Sequence, residues 1–454
     1  MLTSMVNLLA MHKAYAQNKA YTLNDVLQKI VSQYPSIASK QYAVEQQTLQ
    51  KELVKREQLP EVNVQGQQSY GSYQSVAGSF FPLPGNYNTS GTNKNTSEQP
   101  NTVSNLYASA VLQWNFMQFG RIQSKLEVAD AAIQISNTAL SEEAFRLQMT
   151  GMQTYFNALQ SKALLKVSKA DEQRLAELLD LSKVQANAGL RPGADTLLVK
   201  SSYLLSRGII HDQQAQLETA MLQLASLIGE EVSSFTLDTS AYAKVDRETL
   251  PVDGIEQHPY LQYVKANLEY AQASLHTIKR QPYPIIGLLA GVGIRGSGIT
   301  NTGKVDNSLT APWNHNSSNY LAGIGITWNL SSLYQNKVKQ KIAARNIEAI
   351  KADYDAANLQ LKTAYAVAVS RWKQQREKVA EAKMALEAAQ QGYDLYIVRY
   401  ENGLINLIEL LQLQKGLQDA ESNYVKAVGA YWNELIQQSA SVGTVSLLLS
   451  HINP

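Results

Sequence analysis

Six histidines, His12, His211, His258, His276, His315 and His451, are scattered along the 454 residues, and their spacing fits no metal site. Cysteine is absent, which excludes thiolate metal ligands, disulfides and a lipid-modified N-terminal cysteine together. There is no Gly-rich phosphate loop, no nucleophile elbow and no H-E-x-x-H. The residues therefore offer no catalytic constellation and call for no cofactor or metal, and the chain reads as something other than an enzyme. Two carboxylates occupy matching places: Asp195 and Glu409 each follow a glycine, Gly189 and Gly403, by six residues. For Glu409 one local role is legible, because Asn406 and Glu409 fit the capping pair that opens a helix.

The balance of charge narrows the partners. Forty Lys and Arg against 38 Asp and Glu leave a net charge of +2, and the basic residues alternate with acids along helix faces, so no nucleic-acid footprint exists. A hydrophobic content of 44% with 17% charged residues excludes a disordered chain. No apolar run reaches the ~20 residues of a spanning helix. A chain of this kind meets a membrane only as a closed β-barrel.

The elements that position the acids are most legible between Tyr320 and Leu411. YLAGIGITWNL alternates as a strand, with Tyr320, Ala322, Ile324, Ile326, Trp328 and Leu330 on one face and small or polar residues on the other. From about Tyr334 the period becomes helical, and no proline interrupts it before Gly403. Ile347, Ile350, Tyr354, Ala357, Leu361, Ala364 and Ala368 keep a 3-4 spacing, the seam of a coiled coil. Seventy such residues span about 100 Å at roughly 1.5 Å each. Beyond Gly403 a second seam runs through Leu407, Leu410, Gln414, Leu417, Glu421, Tyr424, Val428, Tyr431 and Leu435. The chain is thus expected to fold back as a hairpin of two long helices, over about 334–438, with its tip at 403–409.

The first half carries the same plan. Residues 1–16 read either as a secretory signal, with MVNLLAM as core and Ala14-Tyr15-Ala16 before the cleavage point, or as an ordinary N-terminal tail, since the basic leading region is missing. A helical pattern interrupted by Pro35 follows, then a strand near 62–73, a polar loop at 77–102 and a second strand near 105–116 with Leu106, Ala108, Ala110, Leu112, Trp114 and Phe116 on one face. A helical hairpin over about 121–228, with its tip at 189–195, completes the unit. Subtraction exposes a duplication: Pro35, Arg56 and Pro60 recur as Pro259, Arg280 and Pro284, 224 residues later. Trp114, Asn115, Gly189, Leu190 and Leu197 recur as Trp328, Asn329, Gly403, Leu404 and Leu411, 214 residues later. The difference of ten lies between the strands, where the first loop is longer than the second at 297–318. The repeats are expected at 17–250 and 251–454.

Four strands, near 62–73, 105–116, 285–296 and 320–330, match the ~9–11 residues that cross a bilayer when tilted, but bacterial barrels start at about eight strands. Their edges must be satisfied by other copies of the chain, and three copies would give twelve strands; spacing alone does not choose three over two or four. Trp114 and Trp328 end the second and fourth strands, where an aromatic belt at the inner membrane interface needs them, or where they pack in a soluble sandwich.

The duplicated order of strand, strand, long helix, tip and helix, the tryptophans in VLQWNFMQFGR and GITWNLSSLYQN, and the tips NAGLRPGADTLL and YENGLINLIELL together resemble the TolC-type outer-membrane efflux and secretion channels. The resemblance implies a mainly α fold with a membrane β-barrel: a homotrimer with one twelve-stranded barrel in the outer membrane of a Gram-negative bacterium and one α-helical tunnel in the periplasm. It implies a passive exit duct for drugs and toxic compounds, partnered by a periplasmic adaptor protein, through it by an inner-membrane pump, and by outer-membrane lipid. It assigns adaptor docking to the tip pairs Gly189, Leu190, Gly403 and Leu404, and the tunnel-entrance constriction to Glu409, Asp195 and Tyr400. The basic residue that the family places two positions after the second tip glycine is Ile405 here, and a second entrance acid is Gln412, so the usual ionic latch lacks its parts; Arg191 is the candidate substitute. A type I protein-secretion outlet would share all these features, and a periplasmic coiled-coil scaffold or adaptor would share the helices without the membrane strands.

Overall fold

The computed structural model describes residues 19–73, 101–240, 242, 244–245, 254–300 and 304–452. The signal-like stretch 1–16 and nearly all of the first polar loop lie outside them. In order, the elements are β1 (Lys19–Tyr21), α1 (Leu23–Gln33), α2 (Pro35–Arg56), β2 (Glu61–Tyr73), β3 (Asn101–Met117), α3 (Arg121–Asn187), α4 (Gly193–Ile228), β4 (Phe235–Leu237), α5 (Pro259–Arg280), β5 (Ile285–Ser297), α6 (Ala311–Asn314), β6 (Asn316–Thr327), α7 (Ser332–Glu401), α8 (Leu407–Val442) and α9 (Ser446–Ile452). The duplication is visible in the helix bounds. Pro35–Arg56 and Pro259–Arg280 are both 22 residues, offset by 224, and Gly193–Ile228 and Leu407–Val442 are both 36, offset by 214. Each 36-residue helix ends at a left-handed glycine, Gly229 (φ 68°) or Gly443 (φ 84°), a pair matched at the same offset of 214.

The chain forms two compact units. One comprises Gln46–Ala132 and Glu269–Glu348 and holds an antiparallel sheet in the order β2-β3-β5-β6. Register decides its two faces. Val62 stands opposite Leu112, Leu112 opposite Ala290 and Ala290 opposite Ala322; one step along, Val64, Ala110, Val292 and Tyr320 are aligned in the same way. Because side chains alternate, the apolar stripes of the four strands merge into a single face that continues through Trp114, Leu288 and Ile324. The opposite face aligns Gln65, Ser109, Gly293 and Asn319, small and polar. Each hydrogen-bonding run is long, but β2 and β6 each pair on one side only.

The other unit is built from the described parts of Met1–Glu45, Ile133–Leu268 and Ala349–Pro454. Its main core gathers Tyr155, Phe156, Leu224, Ile228, Tyr431, Trp432 and Leu435, with Phe156 stacked on Trp432 at 4.6 Å between ring centres. The strands β1 and β4 pair in parallel, Ala20 with Thr236, and the Tyr155 hydroxyl donates to the Asp238 carbonyl at 2.9 Å beside them. This small sheet was not expected, since three residues are too few to show a period. The seam of α8 follows the expected positions, with Leu407, Leu410, Gln414 and Leu417 all buried. In α7 one position differs: Ala364 is exposed and Tyr365 takes its place between Leu361 and Ala368. A helix of 3.6 residues per turn drifts against a 3.5 repeat, and the stripe steps by one residue to follow it.

The segment expected as a plain polar loop at 297–318 is more structured than that. Ile299 bridges to Val305, and α6 closes it back on the sheet.

Candidate functional site

The two tips are built alike. At the end of α3 the N–H of Gly189 donates to the Ala186 carbonyl at 3.0 Å and that of Leu190 to the Gln185 carbonyl at 2.9 Å. At the end of α7, Gly403 donates to Tyr400 at 3.0 Å and Leu404 to Arg399 at 2.9 Å. This paired closure satisfies the last carbonyls of a helix and requires a left-handed residue, which both glycines supply, with φ of 73° and 74°. A Cβ at either position would touch nothing, so glycine is required there for its conformation and not for space. In such a closure the residue after the glycine usually packs on the one that accepts its hydrogen bond. Here those acceptors are Gln185 and Arg399, and Leu190 and Leu404 stand 74% and 69% exposed. Leu197 and Ile408, in the first turns of the returning helices, are exposed as well.

The returning helices begin differently. Asn406 caps α8: its Oδ1 accepts from the Glu409 N–H at 2.9 Å, and its Nδ2 donates to Glu409 Oε1 at 2.6 Å. Glu409 itself is exposed in the protomer. In the first tip Pro192 holds the capping position without a side-chain bond, and Asp195, half-buried, lies in the first turn of α4, where the helix dipole favours an acid.

Between the tips stands Arg191. Its Nη2 donates to the Ile405 carbonyl at 2.9 Å, and its guanidinium lies 5.1 Å from the centre of the Tyr400 ring. Tyr400 is fully buried, in a cluster with Leu178, Leu179, Val199, Leu407 and Leu410 that joins the two hairpins. Burial holds its phenol above the ordinary value, with Arg191 opposing. Its hydroxyl has no hydrogen-bond partner among the described residues. Tyr400 is therefore a seam residue of the protomer that carries the Arg191 contact.

Further along the same seam is a polar layer that sequence reasoning passed over. Gln414 Nε2 donates to the buried Asp171 Oδ1 at 2.7 Å, and Arg174 grips Glu421 with two bonds, at 3.0 and 2.6 Å. The available signal was the presence of Gln414 and Glu421 in seam positions that are otherwise mostly apolar.

At the sheet the two tryptophans repeat each other. The indole N–H of Trp114 donates to the Gln58 carbonyl and that of Trp328 to the Pro282 carbonyl, both at 2.8 Å, and both rings remain partly exposed. Among the described residues no cluster of three or more His, Asp or Glu could hold a metal, and no helix is long and apolar enough to cross a membrane.

The described residues thus form a four-stranded sheet with one apolar face, open at both edges, and two long helical hairpins. Residues 250–444, most of the second repeat, match the family described as outer membrane efflux protein. Among curated proteins the chain is 21% identical over 366 residues to nodulation protein T of Rhizobium leguminosarum bv. trifolii, covering 76% of this chain and 73% of that one. Among solved structures it is similar to the outer-membrane channel OprN, at 17% identity and a TM-score of 0.71, over 94% of this chain and 90% of that one. It is similar also to CusC, at 16% identity and a TM-score of 0.73, over 93% and 92%. The chain thus shares the fold of these solved outer-membrane channels, and the family match extends over its second repeat.

Proposed function

We propose that the protein is the outer-membrane exit duct of a tripartite efflux system, through which small molecules pass passively from a periplasmic adaptor and inner-membrane pump to the exterior. The observation that carries this reading is the register of the sheet, which merges four apolar stripes into one face and leaves β2 and β6 unpaired on their outer edges. Unpaired strand edges are not tolerated in lipid. The strands alternate in direction from β2 to β6, so rotation brings the β6 of one copy antiparallel to the β2 of the next. Three copies, the number that the TolC resemblance implies, give an even-numbered, closed barrel of twelve strands. In that assembly Trp114 and Trp328 form the inner aromatic belt, the helical hairpins form the periplasmic tunnel, and the exposed Leu190 and Leu404 face the adaptor. Glu409 and Asp195 narrow the tunnel entrance, with Tyr400 placing the second tip from behind.

The likeness to a nodulation protein favours keeping a second reading, an outlet for a secreted cargo such as a type I system uses. Both readings require a pore. The purified protein in planar bilayers is expected to give discrete conducting steps, and light scattering in detergent to give three copies; a non-conducting monomer would overturn the proposal and leave a periplasmic scaffold in its place. Drug accumulation against protein export in a deletion strain separates the two duct readings.

A further inference from the structure

We infer that the segment from Leu309 to His315 is a bracket that folds over the outer end of the apolar face and anchors the protein in the outer interfacial layer of the lipid, with Leu309 and Trp313 as the inserted side chains. This rests on the proposed membrane reading of the sheet.

The placement follows from the strand register. Gly296 is aligned with Leu106 and, through it, with Gln68, so all three belong to the apolar face. A Cβ on Gly296 would lie 1.9 Å from the carbonyl oxygen of Pro312, and one on Gly298 would lie 2.3 Å from that of Asp306. Gly296 thus opens the surface on which the segment rests, on this face and not on the polar one, while Gly298, just past the end of β5, makes room for Asp306. Gln68 fastens it, donating from Nε2 to the Leu309 carbonyl at 2.9 Å and to Ser104 Oγ at 3.2 Å. Within it Ala311 and Pro312 are buried, while Leu309 and Trp313 remain 64% and 60% exposed.

Such a cover makes little sense for a loop meant to stand in water, since Ala311 and Pro312 bury against the strands while a leucine and a tryptophan turn outward. It fits a membrane interface, where tryptophan is enriched because one end of its ring is apolar and the other polar. The spacing agrees. Trp114, in the inner belt, is aligned with Leu288, eight residues along β5 from Gly296. That is about 26 Å along the strand at roughly 3.3 Å per residue, and about 20 Å along the membrane normal at a tilt of ~40°, against an apolar band of ~25 Å bounded by aromatic girdles.

The chain has no cysteine, so single-cysteine labelling is free of background. Nitroxide labels at Trp313→Cys and Leu309→Cys, in the full protein reconstituted into phosphatidylethanolamine and phosphatidylglycerol vesicles, are to be compared with Ile324→Cys on the apolar face and Gln65→Cys on the polar face. Positions 313 and 309 are expected to match Ile324→Cys, with oxygen-to-aqueous-quencher accessibility several-fold above that of Gln65→Cys. If 324 lies in lipid but 313 and 309 behave like 65, the bracket is an aqueous loop and this inference is overturned alone. If 324 is itself aqueous, the membrane reading of the sheet falls and takes the bracket with it.

Discussion

Arg191, in the first tip, donates to the main-chain carbonyl of Ile405, in the second, at 2.9 Å. A side chain from one repeat thus fastens the turn of the other, and it does so through a backbone acceptor that the isoleucine side chain cannot spoil. Where the resemblance led one to expect a basic residue at 405, the charge comes from the opposite hairpin and stacks on Tyr400. Arg191→Met removes a charge-assisted hydrogen bond and a cation–π contact, together about 2 kcal/mol or more of tip cohesion. That corresponds to a shift of at least ~20-fold in the balance between fastened and released tips. Single-channel recording is expected to show more frequent or larger openings, and Arg191→Lys, which keeps the charge but loses the planar fork, an intermediate behaviour. Unchanged traces in Arg191→Met would mean that the contact does not hold the entrance.

Gly403→Val places a β-branched residue at φ 74°, a conformation that costs it more than the roughly 1 kcal/mol of an alanine. Since no atom crowds the position, the whole effect is conformational. Efflux is expected to fall while the assembly survives in detergent, with Gly403→Asn close to wild type because asparagine tolerates the left-handed region. Full resistance in a strain that relies on Gly403→Val would show that the turn is not read by a partner.

Glu409→Gln separates two roles. Glutamine keeps an oxygen for the Asn406 side chain and leaves the 409 N–H to be capped, so the helix start survives. Only the charge is lost. In the proposed trimer, where three copies would line a narrow aperture, that charge would concentrate cations, and the variant should show weaker block by divalent and trivalent cations from the helical end. Block equal to wild type would leave Glu409 as a cap and make Asp195 the next residue to substitute. Asn406→Ala, by contrast, should cost about 1 kcal/mol of stability with the charge intact.

Asp171 is held above the ordinary carboxyl range by burial, against which the Gln414 hydrogen bond and Arg174 act. A carboxyl raised in the folded state disfavours folding once the pH passes above its unfolded value, so its ionised form is a cost at neutral pH that is relieved in acid. Asp171→Asn keeps the acceptor for Gln414 and removes that cost. The expected result is equal or greater thermal stability at pH 7, by up to about 1 kcal/mol, with less dependence on pH. A clear loss of stability would show that the charge itself, facing Arg174, is required.

His258 has the opposite sign. Its Nε2 is bonded to the Ala440 carbonyl at 2.9 Å, and its Nδ1 accepts from the Tyr260 N–H at 3.1 Å, so the buried ring is fixed as neutral. Burial lowers its pKa. The unfolded chain then takes the proton first, and stability present at pH 7 is lost as pH falls below about 6.5 towards the depressed folded value. Melting temperatures between pH 7 and pH 5 should fall less steeply in His258→Gln than in wild type; parallel slopes would exclude the ring as the source.

The sequence alone determined the repeated plan. Constant offsets from Pro35 to Pro259 and from Trp114 to Trp328 survive any arrangement in space, and the long helices were legible because a 3-4 seam runs far without proline. Gly189 and Gly403 could be placed at turns because a helix that must end in a left-handed residue favours glycine. Tertiary structure decided what sequence periods leave open. Periodicity gives each strand two faces but does not say which neighbours share one; the register from β2 to β6 settled that. Short pairings such as β1 with β4, and the fold-back of Pro312 onto Gly296, depend on contacts made across the tertiary structure and leave no local period. The same holds for Arg191. Nothing in its own neighbourhood names Ile405 or Tyr400 as partners, because they are brought to it only when two hairpins, separated by more than 200 residues, pack along one seam.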